Sequence, residues 1–170
     1  MTETRFLSLV VPLQHRMFRL AYTFLRDEEE AKDVVQDALV KLWANRDALP
    51  AIKSMEAWCI RITKNTILDR LKYNRYRQTS DIDKHADELA TTGMEDAAEV
   101  NDGIRAAKKI ISQLPEKYRF LIHLRDVEGL AYDEIARIME LSLPEVKTGI
   151  YRARQAVKEN LKSLNSYGLR

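Results

Sequence analysis

The sequence contains few of the residues on which several common kinds of protein depend. Its 170 residues include one cysteine, Cys59, so an intramolecular disulfide and a cysteine-rich zinc site are excluded. The three histidines, His15, His85 and His123, have no carboxylate or cysteine at ligand spacing, so no metal is expected. No glycine-rich phosphate-binding motif occurs, which argues against a nucleotide-hydrolysing enzyme. We therefore expect neither catalysis nor a bound cofactor.

Glycine, proline and long apolar runs are also scarce. Five Gly and four Pro, against abundant Leu, Ala, Arg, Lys and Glu, predict an all-α protein. The chain has no run of about eighteen apolar residues, so no membrane insertion is expected. It also begins without a long apolar signal segment. A single cysteine fits a reducing compartment, and we expect a cytoplasmic protein.

Charge is distributed unevenly along the chain, although the net charge at pH 7 is only +2. Residues 1–77 hold fourteen Lys and Arg against ten Asp and Glu, and residues 103–170 hold thirteen against eight. Residues 78–102 hold one Lys against eight Asp and Glu. Two basic regions joined by an acidic one predict nucleic-acid contacts at both ends of the chain.

Hydrophobic spacing predicts a helical N-terminal domain in residues 1–77. Asp27 and Ser54 each precede an apolar periodic segment and are expected as N-caps. The expected elements, in order, are a helix over Thr4–Leu25, a helix over Asp27–Asn45, a Pro-containing loop at Ala48–Lys53, and a helix from Ser54 to about Arg77.

An acidic segment without sustained periodicity, Gln78–Glu99, follows the N-terminal domain. Its few apolar residues predict a flexible linker, with a helical turn around Asp83–Leu89. A second helical domain is expected over residues 100–170. Its expected elements are helices over Ile104–Leu114, over Pro115–Val127 with a stop at Gly129, over Leu130–Met139, and from Leu143 to about Leu161.

The last two predicted helices form a helix-turn-helix. Ser142 and Glu145 make an S-x-x-E capping box at the start of the second one. Apolar residues at helical spacing place one face of that helix in the core. The opposite face carries Lys147, Thr148, Tyr151, Arg152, Arg154 and Gln155. Such a face fits the DNA major groove, and the alternative is a helical hairpin whose charged face is merely solvated.

A cationic stripe runs along the third helix of the N-terminal domain. It comprises Arg61, Lys64, Lys72 and Arg75, with Asn65, Arg70 and Arg77 nearby. A stripe of this length can follow a phosphate backbone, because each cation displaces condensed counterions. Tyr73 and Tyr76 can stack on bases, whereas Trp58 is expected in the core. A solvated surface is the alternative for the stripe.

The second helix presents an outward face that combines polar and apolar side chains. Its members are Asp33, Gln36, Asp37 and Val40, with Trp43 at the edge. A valine and a tryptophan beside acids are compatible with a surface that receives a partner helix. The alternative is an ordinary exposed valine, which is common on protein surfaces.

Taken together, these segments resemble the sigma-70 family, specifically the small extracytoplasmic-function (ECF) group of bacterial sigma factors. The helix of that family that docks on the clamp helices of RNA polymerase is similar to DEEEAKDVVQDALVKLW. Its promoter-opening helix is similar to SMEAWCIRITKNTILDRLKYNR, and its promoter-reading domain to LPEKYRFLIHLRDVEGLAYDEIARIMELSLPEVKTGIYRARQAVKENL. The resemblance covers nearly the whole chain. It implies a dissociable, non-enzymatic polymerase subunit that directs promoter recognition, DNA opening and transcription initiation.

The resemblance also implies partners and site residues. The partners are core RNA polymerase, promoter DNA and an anti-sigma factor. The face toward polymerase would comprise Asp33, Gln36, Asp37 and Val40. The −10 element would be met by the loop Ala48–Met55 and by Arg61, Lys64, Asn65, Asp69, Arg70 and Lys72. The −35 element would be met by Lys147, Thr148, Tyr151, Arg152 and Arg154.

Three positions depart from the usual pattern of that family. Glu140 replaces a glycine often found in the turn, and Ala131 stands where a capping Ser or Thr is usual. Gly149 lies inside the second helix of the helix-turn-helix, where an Arg is frequent. The glycine is expected to cost about 1 kcal/mol of helix propensity and to remove a phosphate contact.

Two other classes of function are compatible with parts of the sequence. A stand-alone helix-turn-helix regulator would bind duplex DNA as a dimer, with residues 1–77 as a dimerisation or sensor domain. A regulatory scaffold that sequesters other factors would need neither DNA surface. The segment that resembles the polymerase-docking helix favours a sigma factor over both.

Overall fold

The computed structural model describes residues 1–80 and 102–168, and every regular element within these ranges is a helix. The all-α prediction is therefore confirmed. The chain divides into two compact units, Met1–Gly93 and Met94–Arg170. Among the described helices, none combines the length and apolar character needed to cross a bilayer.

Within residues 1–80, the α-helices are α1 (Glu3–Val10), α2 (Gln14–Leu25), α3 (Glu28–Ala44) and α4 (Met55–Ser80). The prediction of one continuous helix over Thr4–Leu25 is wrong. Pro12 lies in a 3₁₀ turn, Val11–Leu13, that separates α1 from α2. Proline lacks the N–H that a continuous α-helix needs, and its ring crowds the preceding turn.

Local capping bonds start α3 and α4 where the sequence predicted. The Asp27 carboxylate accepts a hydrogen bond from the Glu30 N–H at 2.9 Å. The Ser54 hydroxyl accepts one from the Ala57 N–H at 3.2 Å. Each bond satisfies a backbone donor that has no partner within its own helix. Between the two helices, the expected loop is a 3₁₀ helix over Arg46–Ala51.

The core of the N-terminal unit is built from apolar side chains of α1 to α4 and the 3₁₀ helix. One cluster of buried side chains within it comprises Phe6, Val10, Met17, Val35, Ala38, Leu42, Leu49 and Cys59. Trp43 meets Phe6 edge to face with ring centroids 5.1 Å apart, and Trp58 packs against the same cluster, as predicted. An ion pair between Arg16 and Glu56 joins α2 to α4 beside this core. Burial of each large side chain stabilises the unit by roughly 1.5–3 kcal/mol.

Helix α4 is longer than the sequence indicated. It has 26 residues and continues through Ser80, so the segment predicted as a linker from Gln78 begins inside its last turn. The remainder of that predicted linker lies outside the described residues, as does the helical turn expected around Asp83–Leu89.

Within residues 102–168, the α-helices are α5 (Asp102–Gln113), α6 (Glu116–Ile122), α7 (Tyr132–Met139) and α8 (Leu143–Gly168). Pro115 is the N-cap of α6, so this helix begins at Glu116, one position later than predicted. The helix predicted to continue to Val127 instead changes to a π-helix over His123–Val127. Gly129 follows with a φ of +69°, a conformation that glycine adopts without steric cost.

The two ends of α7 explain how the helix-turn-helix folds without the usual residues. At its start, the Ala131 N–H donates to Glu134 Oε2 at 3.2 Å, which forms one half of a capping box. The alanine methyl cannot accept the reciprocal bond. At its end, Glu140 adopts a φ of +55°, the left-handed conformation for which glycine is favoured. The turn between α7 and α8 therefore forms although the backbone of Glu140 is strained. Packing of α7 against α8 must stabilise this conformation.

A buried polar pair, which the sequence analysis did not identify, lies where α6 becomes the π-helix. His123 Nε2 is 3.2 Å from Glu128 Oε1, and both side chains are buried. The Glu128 N–H donates to the His123 carbonyl at 2.9 Å, which closes the widened turn. The π-helical register therefore brings residues five apart onto one side of the helix, where the two side chains meet.

Candidate nucleic-acid interface

The outward face of α3 contains all four residues predicted to meet polymerase. Asp33, Gln36 and Asp37 are exposed, and Val40 is 68% exposed. The opposite face is buried through Ala31, Val34, Val35, Ala38 and Leu42. Burial of that stripe fixes the orientation of α3, so the four outward residues form one continuous surface.

Polar contacts join one side of α3 to α4. Arg70 lies 3.7 Å from an Asp37 carboxylate oxygen, and Lys41 lies 3.5 Å from Asp69. Lys41 also donates to the Thr66 hydroxyl at 3.2 Å. Two of the residues predicted to meet the −10 element, Asp69 and Arg70, are therefore already held by side chains of α3. Exposed pairs of this kind are worth about 0–1 kcal/mol each, so a partner could displace them at low cost.

The predicted cationic stripe on α4 is only partly exposed. Asn65 and Lys72 are exposed and Arg61 is half-buried. Lys64 is only 6% exposed, so its predicted place on the outer stripe is wrong. Lys64 follows Ile60 by four residues and precedes Ile67 by three, which places its stem on the buried face. That spacing was readable from the sequence.

The C-terminal part of α4 exposes aromatic and cationic side chains together. Tyr73 and Tyr76 are exposed, Tyr76 at 72%. The Arg77 guanidinium carbon lies 5.8 Å from the centre of the Tyr73 ring. Exposed rings beside cations are suited to stacking on unpaired bases along a phosphate backbone.

The loop predicted to meet the −10 element is anchored near its start. Leu49 is buried in the core, while Ala48, Ala51 and Lys53 are exposed. Leu49 therefore holds the 3₁₀ helix against the core, and the exposed side chains of the loop lie on the outer surface before the start of α4.

The capping box at the start of α8 forms as predicted. The Ser142 N–H donates to Glu145 Oε2 at 2.7 Å, and the Glu145 N–H donates to the Ser142 hydroxyl at 3.3 Å. The hydrogen bond from the backbone of Ser142 lowers the pKa of the Glu145 carboxyl. Val146, Ile150 and Ala153 are buried on the inner face. These contacts fix where α8 begins and which side faces outward.

The outer face of α8 presents most of the residues predicted to read the −35 element. Lys147, Thr148 and Arg152 are exposed, and Tyr151 is 64% exposed. They occupy the first three turns of the helix, the part that contacts base edges when a helix-turn-helix binds the major groove. The arrangement offers both hydrogen-bonding and cationic groups to DNA.

Arg154 differs from its neighbours on α8, although it too is exposed. Its Nε donates to Asp126 Oδ2 at 3.2 Å and its Nη2 to Asp126 Oδ1. Hydrogen bonding to Asp126 raises the pKa of the Arg154 guanidinium, with a smaller contribution from Tyr132. The predicted DNA ligand is thus bound in a fork by a side chain of the π-helix.

Gly149 has a packing role that the sequence analysis did not anticipate. It is buried, and a Cβ built on it would lie 2.6 Å from Leu121 Cδ1 of α6. The burial of Gly149 therefore has a structural reason, whereas the expected loss of a phosphate contact at this position stays a prediction. Gly149 lies three residues after Val146 and four before Ala153, on the inner face of α8.

Two kinds of group considered in the sequence, metal ligands and a reactive thiol, can be checked in the described residues. No group of three or more His, Cys, Asp and Glu side chains in residues 1–80 and 102–168 is arranged to hold a metal ion. Cys59 is fully buried, and burial raises the pKa of its thiol to about 12. It therefore stays protonated and serves as a small apolar side chain.

Two family models match the chain, one in each unit. Sigma-70 region 2 matches residues 9–77, which include α2, α3 and nearly all of α4. Sigma-70, region 4 matches residues 104–157, which include the helix-turn-helix. The exposed faces of α3, α4 and α8 all fall within the matched ranges.

Relatives and solved structures agree with these matches. The chain is 32% identical over 166 residues to the RNA polymerase sigma-H factor of Pseudomonas aeruginosa, covering 92% of this chain and 86% of that protein. It is 27% identical over 175 residues to the ECF RNA polymerase sigma factor SigW of Bacillus subtilis, covering 95% and 91%. The fold matches the sigma factor RpoE, solved with the anti-sigma factor NepR from Bartonella quintana, with a TM-score of 0.68, 25% identity and coverage of 90% and 94%. The chain therefore belongs to the sigma-70 family of RNA polymerase sigma factors, in its ECF group.

Proposed function

We propose that this sigma factor binds bacterial core RNA polymerase in the cytoplasm through the outward face of α3. Val40 is the observation that carries the proposal. Its side chain is 68% exposed, one helical turn after Gln36 and Asp37. An apolar side chain in this position gains from burial only when a partner covers it. The acids around it select a basic partner surface and discourage self-association.

In the proposed holoenzyme, the two units have different tasks on promoter DNA. The outer face of α4, with Asn65 and Lys72 and the neighbouring 3₁₀ helix, captures unpaired bases of the −10 element. The outer face of α8, with Lys147, Thr148 and Arg152, reads the −35 duplex. Binding energy at α4 offsets the cost of unpairing and unstacking, which is a few kcal/mol per extruded base.

An anti-sigma factor is a further proposed partner. RpoE of Bartonella quintana was solved in complex with one, and this chain covers 94% of that sigma factor. A protein that covered the Val40 surface in the free sigma factor would exclude polymerase by direct competition.

Polymerase binding is tested by two substitutions on α3. Asp33→Arg reverses a charge and Val40→Ala removes exposed apolar area, and neither side chain contributes to the core. Both should weaken affinity for core polymerase by about tenfold in a fluorescence titration, the equivalent of ~1.4 kcal/mol. Glu28→Arg is the matched control, because it makes the same charge change away from the Val40 surface.

The same titration separates the proposal from its rivals. A stand-alone regulator would bind duplex DNA as a dimer and show no saturable affinity for core polymerase. Unchanged affinity in both α3 variants, with wild-type binding intact, would remove α3 from the interface. Helicity measured by circular dichroism should be unchanged in all variants.

A second prediction separates the two DNA tasks. Arg152→Ala should weaken binding of the holoenzyme to a duplex promoter by about 1–3 kcal/mol. A template with a pre-melted −10 bubble should largely restore its activity at high polymerase concentration. Asn65→Ala should instead impair capture of the unpaired strand even when recruitment is saturated.

Gel-shift titration measures recruitment and permanganate footprinting measures strand opening. The two variants should therefore show opposite profiles in the two assays. Identical profiles would contradict the division of tasks between α4 and α8. Thr79→Ala, an exposed substitution at the end of α4, serves as the control that should change neither.

A further inference from the structure

Arg154 was predicted to be a DNA ligand, yet its guanidinium is already bound by a carboxylate of its own unit. Asp126 of the π-helix accepts both of its hydrogen bonds, one at 3.2 Å. Tyr132, the first residue of α7, also interacts with it. These contacts connect α8 to segments that lie 22 and 28 residues earlier in the sequence.

The partners of Arg154 are themselves fixed. The Arg125 guanidinium carbon lies 4.4 Å from the centre of the Tyr132 ring. Arg125 also donates to the Leu130 carbonyl at 2.8 Å, across the turn between the π-helix and α7. One connected set of side chains therefore spans the π-helix, the turn, α7 and α8.

A guanidinium that donates two hydrogen bonds to one carboxylate must keep a defined orientation, whereas apolar contacts have no such directional requirement. Val146, Ile150 and Ala153 hold the inner face of α8 against the core, but apolar contacts are non-directional and restrict rotation of the helix about its axis less strictly than a hydrogen bond does. A planar guanidinium held by two oxygens resists such rotation, because both bonds must keep their geometry together. The outward residues Thr148 and Tyr151 can read bases only if that rotation is fixed.

We infer that Arg154 is a positioning residue, which sets the rotation of α8 through Asp126 and Tyr132, and that it is not a phosphate ligand. This inference rests on the proposed function, because it concerns how α8 presents its face to the −35 duplex. Its effect on promoter affinity passes through Thr148, Tyr151 and Arg152.

The sign of the Asp126→Ala effect separates the two roles. If Arg154 positions α8, loss of Asp126 should weaken binding to a specific duplex by about three- to fivefold, the range of a well-formed exposed pair. If Arg154 binds phosphate, the same change should strengthen binding, because it frees the guanidinium and removes a negative charge. Asp133→Ala is the matched control: Asp133 is an exposed acid paired with Arg137 at 2.7 Å on α7.

Arg154→Lys gives an independent readout. Lysine keeps the positive charge but cannot form the fork, so a positioning role predicts a loss as large as that of Arg154→Ala. The dependence of affinity on salt should then be the same for wild type and both variants. A phosphate ligand would instead be rescued by lysine, and Arg154→Ala would lower the salt slope by about one.

The probe is a duplex enriched from a random-sequence pool by the wild-type full chain with core polymerase. Either a tighter Asp126→Ala complex or a lowered salt slope would overturn the inference. If the wild-type holoenzyme enriches no duplex, the proposed function fails instead. In that case, hydrogen exchange measured on the free chain tests the inference. Arg154→Lys and Asp126→Ala should each speed amide exchange in α7 and in the first turns of α8 about threefold. Unchanged exchange rates would overturn the inference.

Discussion

Replacing Glu128 with alanine is expected to destabilise the C-terminal unit strongly. The change removes the carboxylate that lies 3.2 Å from His123 Nε2 inside a buried site. Removal of one partner from a buried polar contact costs about 1–3 kcal/mol, and more where a charged group takes part. A small domain has roughly 0.05–0.15 kcal/mol of stability per residue, so this loss is a large share of the total.

Hydrogen exchange followed by mass spectrometry can locate this effect within the chain. Amides of α6, α7 and α8 should lose protection in Glu128→Ala, whereas amides of α2, α3 and α4 should keep theirs. Glu128→Gln retains hydrogen-bonding atoms at the same place and should lose less. Glu159→Ala, which removes an exposed acid from α8, is the control. Wild-type protection of α6 in Glu128→Ala would show that the pair contributes little.

Gly149→Arg is expected to destabilise the C-terminal unit, although arginine is a better helix former than glycine. The new Cβ would lie 2.6 Å from Leu121 Cδ1, and Leu121 is fully buried, so its side chain has little room to move. Overpacking of this kind costs about 1–3 kcal/mol, which exceeds the propensity gain of about 1 kcal/mol. The free energy of unfolding should therefore fall in urea titrations.

A second substitution tests the stated cause of that loss. Leu121→Ala creates room for a Cβ at position 149, so Gly149→Arg should cost less in that background than in the wild type. A double-mutant cycle should then give a favourable coupling energy, in the range of about 0.5–3 kcal/mol for residues in contact. Additive effects would mean that the arginine acts through something other than Leu121. Thr148→Arg, on the exposed side of the same turn, is the control.

The sequence predicted best those features that depend on a few neighbouring residues. Asp27 and Ser54 cap their helices, and Ser142 and Glu145 form their box, because each bond closes over three residues. The outward position of Val40 was also predicted from the spacing of apolar residues in α3. Because that apolar face is buried, Val40 on the opposite face must point outward. The break at Pro12 was equally local and could have been predicted from the missing N–H.

The features that the sequence analysis missed depend on residues that are distant in the chain or on an altered helical register. The residues that neighbour Arg154 in sequence give no sign that it pairs with Asp126, which lies 28 residues earlier. The outward position of Arg154 on α8 therefore suggested a DNA ligand. His123 and Glu128 are five apart and meet only because the backbone is π-helical there. Lys64 was misplaced for a different reason, because it sits on an apolar face where its residue type is unusual. The packing role of Gly149 depends on Leu121, which lies 28 residues earlier.

The state of Cys59 makes this protein well suited to site-specific labelling. A thiol reacts as the thiolate, and a buried thiol with a pKa of about 12 offers almost none at neutral pH. A cysteine introduced at an exposed position of α8 outside the proposed DNA-reading face, such as Lys158, would therefore be the fast-reacting thiol of the folded chain, with Cys59 left in place. Slow modification of Cys59 would in turn report how often the core of the N-terminal unit opens, and a fluorophore on α8 would report DNA engagement in the same molecule.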